Sequence, residues 1–565
     1  MSSKRLLSGG QAVVEALRGE RVEHVFGLIG SATMELFDAL YDAKDIRFLD
    51  VRDERSGTHM ADGYARARGR TGVIIAGQNG PGATNLATGL AQAKAAYSPV
   101  LALAGSLSTS HVYRDAFQEV DQETMFRPIT KRTWTVPSIA RVQEMMLEAF
   151  RNTMTPRQGP VLLNLPRDVL AQSAEFEALP PPQSYRVGNA PAAGEEILEQ
   201  AVELLCGARR PLILAGGGIK NTAGDAPVLA LAEALGAPIV TSAGHGDAVP
   251  FSHRLNMGQT GPRGNPLASK LAREADVILA LGTRLGFNST FYSYEHLNRD
   301  AALIHVELEP CAIGRYFPVA LGVWADAATV ARQLCAMVEK RQLQDEAKAW
   351  GEAGERARAA YLLERDEAAV TDADLIQPSG LFKTLRDVLP KDAAITLDAG
   401  TLCLQATDAL NYWQPRSLFT PLDFGLVGFS FACGLGVKLA CPDRPVVSLM
   451  GDGGFGMTVG ELSTAVAHDI HTITLVLNNG CWGAEKAYQR DFFQGRYIGA
   501  DIASPRFDQV AELYGAKGYR AVNLPEVKEA LAEALSREAP AVIDVAMDPD
   551  ALFSFRRDSF AHRGG

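Results

Sequence analysis

The chain has no stretch approaching the roughly 18 uninterrupted apolar residues that span a bilayer, and no apolar run of signal-peptide length follows its basic start, Met1-Ser-Ser-Lys-Arg. It also lacks any excess of positive charge. Lys and Arg number 55 against 66 Asp and Glu, a net charge of −11, which leaves no field for wrapping nucleic acid. Cysteine is sparse: seven residues, at 206, 311, 335, 403, 433, 441 and 481, occur without a C-x-x-C pair. Neither a disulfide framework nor a zinc site is indicated, and most of these cysteines read as small buried apolar side chains. Dehydrogenase chemistry is not expected either, since no Gly-x-Gly-x-x-Gly turn with a later ribose-binding acid stands out. These absences point to a cytoplasmic protein that handles small molecules, with no membrane or nucleic-acid partner.

What is present is an ordinary globular composition, 47% hydrophobic and 21% charged over 565 residues, enough for about three to four domains. Short buried-strand runs recur, bounded by Gly, Pro or Asn: His24–Leu28, Gly72–Ala76, Val100–Ala104 and Val161–Leu165 in the first third. A proline-rich break at Leu179-Pro-Pro-Pro precedes a second set, Pro211–Ala215, Ala237–Thr241, Asp276–Ala280 and Leu303–Glu307. Residues 337–372 are rich in Ala, Glu, Arg and Lys and read as a solvated helix and linker. A third set follows at Ala394–Leu397, Val446–Met450, Thr472–Leu477 and Ala541–Ala546. The expectation is an α/β protein of three parallel-sheet domains, 1–182, 190–340 and 376–565, with a helical linker at 341–375. No residue-level repeat links the first and third.

The most informative motif is Gly451-Asp452-Gly453-Gly454 directly after one apolar run, with Asn478-Asn479 directly after the next. Twenty-four residues lie between Gly453 and Asn478, room for one crossover helix, expected at Val459–His468. On adjacent parallel strands Asp452 and Asn479 then emerge side by side at the carboxyl ends, where open α/β sheets bind ligands. A carboxylate, an amide oxygen and a backbone carbonyl, that of Cys481, suit Mg2+ bridged to a diphosphate. The glycines let backbone N–H groups reach phosphate oxygens.

With that motif in place, the whole chain resembles the thiamine-diphosphate enzymes of the acetolactate synthase and pyruvate decarboxylase superfamily. Asp53-Glu54 ahead of Met60-Ala-Asp-Gly-Tyr-Ala-Arg66, Gln78-Asn-Gly-Pro81-Gly-Ala-Thr-Asn85 and Phe117-Gln118-Glu119 match its pyrimidine-side segments. The resemblance implies that thiamine diphosphate and Mg2+ are the cofactors and that Glu54 activates the aminopyrimidine ring. It places Pro81, Asn85, Gly400, Thr401, Val427, Gly451, Asp452, Gly453, Gly454, Asn479 and Cys481 against the cofactor, with Gln118, His111 and Lys131 nearby. Asp53 stands where many relatives have His, and Val427, under the cofactor's bend, is smaller than their Met or Leu. If Asp53 faced Glu54, like-charge repulsion would raise the Glu54 pKa.

The run Asn479-Gly-Cys481-Trp482-Gly-Ala-Glu485-Lys486 is most similar to the sulfoacetaldehyde acetyltransferase branch, although Cys481 replaces its usual Gln. That branch converts sulfoacetaldehyde and inorganic phosphate to acetyl phosphate and sulfite. Trp482, Lys486, Arg490, Arg496, Arg556 and Arg557 are the candidates for holding those anions. The alternatives are an acetolactate-synthase-type carboligase or decarboxylase acting on pyruvate or another 2-oxo acid, and a catalytically silent regulatory homologue. FAD in the central domain, near Gly216-Gly-Gly218 and Glu307-Leu-Glu309, is the less favoured addition. The resemblance further implies a homodimer or homotetramer, with Glu54 and the Asp452 motif acting across a subunit boundary.

Overall fold

Short apolar runs become the interior strands of three six-stranded parallel sheets in the computed structural model, which describes residues 4–554. The first sheet runs Arg47–Asp50, His24–Leu28, Gly72–Ala76, Val100–Ser106, Val161–Pro166, Arg132–Thr135. The third runs Leu418–Phe419, Ala394–Leu397, Val446–Gly451, Ile473–Asn478, Ala541–Ala546, Lys517–Ala521. Counted within each sheet, both have the strand order 2-1-3-4-6-5. The likeness between these two domains is therefore one of topology. The central sheet, Asn256–Gln259, Ile239–Thr241, Pro211–Ala215, Val277–Leu281, Ala302–Glu307, Leu321–Trp324, has the doubly wound order 3-2-1-4-5-6.

Each order reverses direction beside its first strand, and there the strand ends diverge to leave a crevice. The crevice is flanked by Leu28 and Ala76 in the first sheet, Ala215 and Leu281 in the central one, and Leu397 and Gly451 in the third. In each domain glycines stand at or just past these strand ends: Gly77, Gly216 to Gly218 and Gly282, and Gly400, Gly451 and Gly453. A small antiparallel pair, Arg5–Ser8 with Ser173–Phe176, fastens the beginning of the first domain to its end. The helix Asp345–Glu367 leads from the central domain to the third. The expected crossover helix is broken into a single turn, Val459–Glu461, and the helix Leu462–Ala467.

One apolar core is shared between the first and third domains. Its axis is the helix Glu54–Arg68 lying against the helix Ser430–Ala440. Glycine permits the approach. A Cβ on Gly63 would strike the Cys433 backbone oxygen, and one on Gly436 the Met60 oxygen. Polar groups are sealed into this interface. Arg66 pairs with Asp62 at 2.9 Å, and His59 stands edge-on to Phe429, its pKa lowered to about 3 by burial and by Arg55 and Arg66. Of the cysteines, Cys403, Cys433 and Cys481 are buried, whereas Cys311 is exposed and the other three are half-buried, so burial holds for fewer of them than expected. No helix among the described residues is long and apolar enough to cross a membrane.

Because the collision at Gly436 is with backbone, Gly436→Ala should cost about 1–3 kcal/mol in overpacking. Gly207→Ala, where an added Cβ meets nothing within 4 Å, should be neutral or slightly stabilising; thermal melts of both variants check the pair.

Candidate active site

Parallel pairing sets Gly451 opposite Leu477, so Asp452 and Asn479, each the first residue past its strand, leave neighbouring strands within one residue of the same level. Asp452 opens the short helix Asp452–Gly456 and is 1% exposed. Burial pushes its carboxyl up. The Ser504 hydroxyl and the backbone N–H groups of Gly453 and Asn479 pull it back. The Asn479 side-chain oxygen accepts the Cys481 N–H at 3.3 Å. These residues line a cavity of about 490 Å3, together with Gly400, Thr401, Val427, Gly453, Gly454 and Trp482. Trp482 packs so closely on Gly453 that a Cβ there would lie 2.6 Å from its ring.

The cavity has the features a diphosphate requires. A Cβ on Gly451 would meet nothing within 4 Å, and the buried Thr401 hydroxyl, at the start of the helix Thr401–Ala409, lacks a hydrogen-bond partner within the protein. Among the described residues no cluster of three His, Cys, Asp or Glu side chains is placed to hold a metal. One carboxylate and one amide fit Mg2+, which retains water and phosphate oxygens as ligands. The run Gly451 to Gly456 itself has the Gly-x-Gly-x-x-Gly spacing, contrary to the expectation that no such turn stands out. Its helix ends after five residues.

Sequence reasoning missed Asp398, which follows the strand Ala394–Leu397 as Asp452 follows Val446–Gly451. Its carboxylate accepts the N–H groups of Gly428, Phe429 and Ser430 at 2.9, 2.7 and 3.2 Å. Burial nevertheless pushes it up to about 6. This clamp fixes the loop carrying Val427 and the start of the helix Ser430–Ala440.

A second cluster forms on the first domain. Glu54 is the first residue of its helix, and it is 3% exposed. Asn85, on the helix Pro81–Ala95, donates to its carboxylate at 3.0 Å. The loop at Gln118 is tied to the turn just ahead of that helix. Gln78 donates to the Gln118 side chain at 2.5 Å, and Asn79 donates to the Phe117 and Gln118 carbonyls. The Glu54 carboxyl is raised chiefly by burial, against the Asn85 hydrogen bond, with Asp53 adding a smaller push. Asp53 caps the helix instead, accepting the Arg55 N–H at 2.7 Å. Buried Glu461 of the third domain, also missed, holds the Arg52 and Asp53 N–H groups at 3.0 and 3.1 Å.

The remaining candidates lie apart. His111 is exposed at the end of a single turn, Thr109–His111. The Lys131 ammonium donates to the Thr155 and Arg157 carbonyls at 2.7 and 2.8 Å, and burial brings it to about 8. Lys486 pairs with Asp501 at 2.7 Å and Arg490 with Asp491 at 2.8 Å, while Arg496 is exposed. None of these three lines the cavity. Arg556 and Arg557 lie outside the described residues. The basic residues that do line it come from the central domain: Arg263 and Arg284.

Comparison with known proteins gives three consecutive family matches. Thiamine pyrophosphate enzyme N-terminal TPP binding domain matches residues 7–125, the central domain 198–334, and the C-terminal TPP binding domain 398–545. Sulfoacetaldehyde acetyltransferase of Castellaniella defragrans is 33% identical, over 98% of this chain and 96% of its own. The protein of that name from Alcaligenes xylosoxydans xylosoxydans is 34% identical over 98% and 95%. A probable acetolactate synthase large subunit of Methanocaldococcus jannaschii is 33% identical over 96% and 92%.

For Glu54 the raised pKa means that folding favours the neutral acid. The associated stability is full below the ordinary carboxylate range and is lost as pH rises through the folded-state value. Cofactor-free Glu54→Gln should therefore melt above the parent at pH 7. The gap should close as pH falls toward 4; melts across that range check it.

Proposed function

Taking the chain as a member of the thiamine pyrophosphate enzyme family, to which it belongs, we propose that it transfers an acetyl group from a sulfonated aldehyde to inorganic phosphate, releasing sulfite. It is a thiamine-diphosphate-dependent enzyme, so the silent-homologue alternative falls. The observation that carries the site assignment is the convergence of Asp452, Asn479, Gly451 and the orphan Thr401 hydroxyl on one cavity. Asp452, Asn479 and the Cys481 carbonyl would hold Mg2+, with Gly400, Thr401, Gly453 and Gly454 around the diphosphate. Bound there, the cofactor supplies a nucleophilic carbon and an electron sink for the bond broken beside the carbonyl.

The chain's own residues set the conditions. Glu54, whose carboxyl burial raises, would hold a proton for a ring nitrogen of the bound cofactor, and Asn85 keeps its carboxylate oriented. The Asp398 clamp holds Val427 in the cavity wall. Trp482 walls the cavity beside Gly453. Among the described residues none of the first domain lines the diphosphate cavity of its own chain, which supports a homodimer or homotetramer in which a second copy brings Glu54 to it. A cytoplasmic location accords with this chemistry.

Similarity to acetolactate synthases keeps a second reading, carboligation of pyruvate or another 2-oxo acid. A further cavity of about 250 Å3 lies between the domains, with Gly217, Gly218 and Glu307 in its wall. Any FAD would go there, but neither reading depends on it.

Protein supplied with thiamine diphosphate, Mg2+ and phosphate should release sulfite and form acetyl phosphate from sulfoacetaldehyde. Glu54→Gln should lower the rate by about a hundredfold or more. Carbon dioxide with acetolactate from pyruvate, and no sulfite, would move the assignment to the second reading.

A further inference from the structure

Behind the three groups proposed to hold Mg2+ runs a strap of chain, residues 500–504, between the helices Gly483–Phe492 and Phe507–Leu513. None of its residues lines the 490 Å3 cavity, yet it touches each element that does the holding. The Trp482 N–H donates to the Ala500 carbonyl at 2.7 Å, the Ile502 N–H donates to the Gly480 carbonyl at 2.9 Å, and Cys481 and Asp501 pair as an antiparallel bridge between them. The Trp482 N–H belongs to the same planar peptide unit as the Cys481 carbonyl, so its bond to Ala500 fixes the plane in which that carbonyl lies. The Cys481 N–H in turn donates to the Asn479 side-chain oxygen at 3.3 Å. At the far end of the strap the Ser504 hydroxyl donates to Asp452 Oδ2 at 2.5 Å. A carboxylate held at one oxygen loses its freedom to rotate, and its remaining acceptor capacity acquires a fixed direction.

Both ends of the strap are anchored. At its start Lys486 pairs with Asp501 at 2.7 Å, and the Gln489 side chain exchanges hydrogen bonds with the Ile498 backbone at 2.9 and 3.0 Å. Beyond Ser504, the Phe507 N–H donates to Asp544 Oδ2 at 3.1 Å, and Asp544 Oδ1 accepts the Asn478 side-chain N–H at 3.1 Å. Asp544 is wholly buried on the strand Ala541–Ala546, beside Ile473–Asn478, and pairs with Arg520 at 2.7 Å. The strap is thus tied to the residue just before Asn479 as well as to Asp452, and the Ser504 hydroxyl is delivered from a segment that cannot swing away.

We propose that Ser504 is a positioning residue for Mg2+: its hydroxyl holds the Asp452 carboxylate in the orientation the ion requires, while the strap sets the Cys481 carbonyl beside it. Mg2+ tolerates little departure from octahedral geometry, and a site with one protein carboxylate depends on how that group and its neutral neighbours are aimed. The proposal rests on the cofactor reading of this cavity. It also gives Lys486 a task other than binding a substrate anion, that of holding Asp501 and with it the strap.

The test is equilibrium dialysis of thiamine diphosphate, at one fixed concentration, against the full chain across a series of Mg2+ concentrations. The quantity compared is the Mg2+ concentration that gives half-maximal retention in the parent, Ser504→Ala, Ser504→Cys and Ser504→Thr. Ser504→Ala should raise that midpoint by about tenfold or more, and excess Mg2+ should restore retention. Ser504→Cys, a weak donor of nearly the same shape, should raise it less, and Ser504→Thr, which keeps the hydroxyl, should stay within about threefold of the parent. Ser504→Cys decides the matter if Ser504→Ala does not fold. The proposal is overturned if the Ala and Cys variants keep the parent midpoint, if Thr shifts it as far as Ala does, or if the parent retains thiamine diphosphate equally well without Mg2+. A loss of retention in folded variants that excess Mg2+ does not reverse marks a merely structural role and overturns it too. A parent that retains no thiamine diphosphate at any Mg2+ concentration instead overturns the cofactor reading beneath the proposal.

Discussion

The close crossing of the helices Glu54–Arg68 and Ser430–Ala440 ties the chemistry to the fold. The first begins at Glu54 itself, and the start of the second is clamped by Asp398, which also sets the Val427 loop. Gly63 and Gly436 bring the two backbones together. Neither segment can therefore move without disturbing a core shared by two domains. Glu461 reinforces the link by binding the backbone just ahead of Glu54.

Electrostatic work is divided among the domains. The first contributes a buried carboxyl whose pKa burial raises. The third contributes a carboxylate whose burial calls for a counter-cation. Positive charge enters the cavity only from the central domain among the described residues. Each contribution stands at the carboxyl end of a sheet, where diverging strands leave room for a ligand.

The interior strands were legible because they are buried on both faces and read as unbroken apolar runs, as Val446–Gly451 and Val100–Ser106 do. The six sheet edges were not. Arg47–Asp50, Arg132–Thr135 and Lys517–Ala521 carry charge and half-exposed side chains, and Leu418–Phe419 is too short to show a period. Site residues followed the same division. Asp452 and Asn479 stand beside strong strand signals. Asp398 has that signal too but no second acid or amide to mark it, and Arg263 sits in a turn after a weak edge strand. Lys486 and Arg490 pair with Asp501 and Asp491 and do not line the cavity; which charged residues of a helix face a cavity is not visible in composition.

The central claim is that Glu54 and Asp452 serve one reaction from two copies of the chain. Co-expressing Glu54→Gln with Asp452→Ala, each inactive alone, tests it directly. Random pairing of the two should restore about a quarter of the parent activity, since half the dimers would hold one intact site of two. A mixture as inactive as its components, with both variants folded and dimeric, would contradict the account and place both residues in one chain's site.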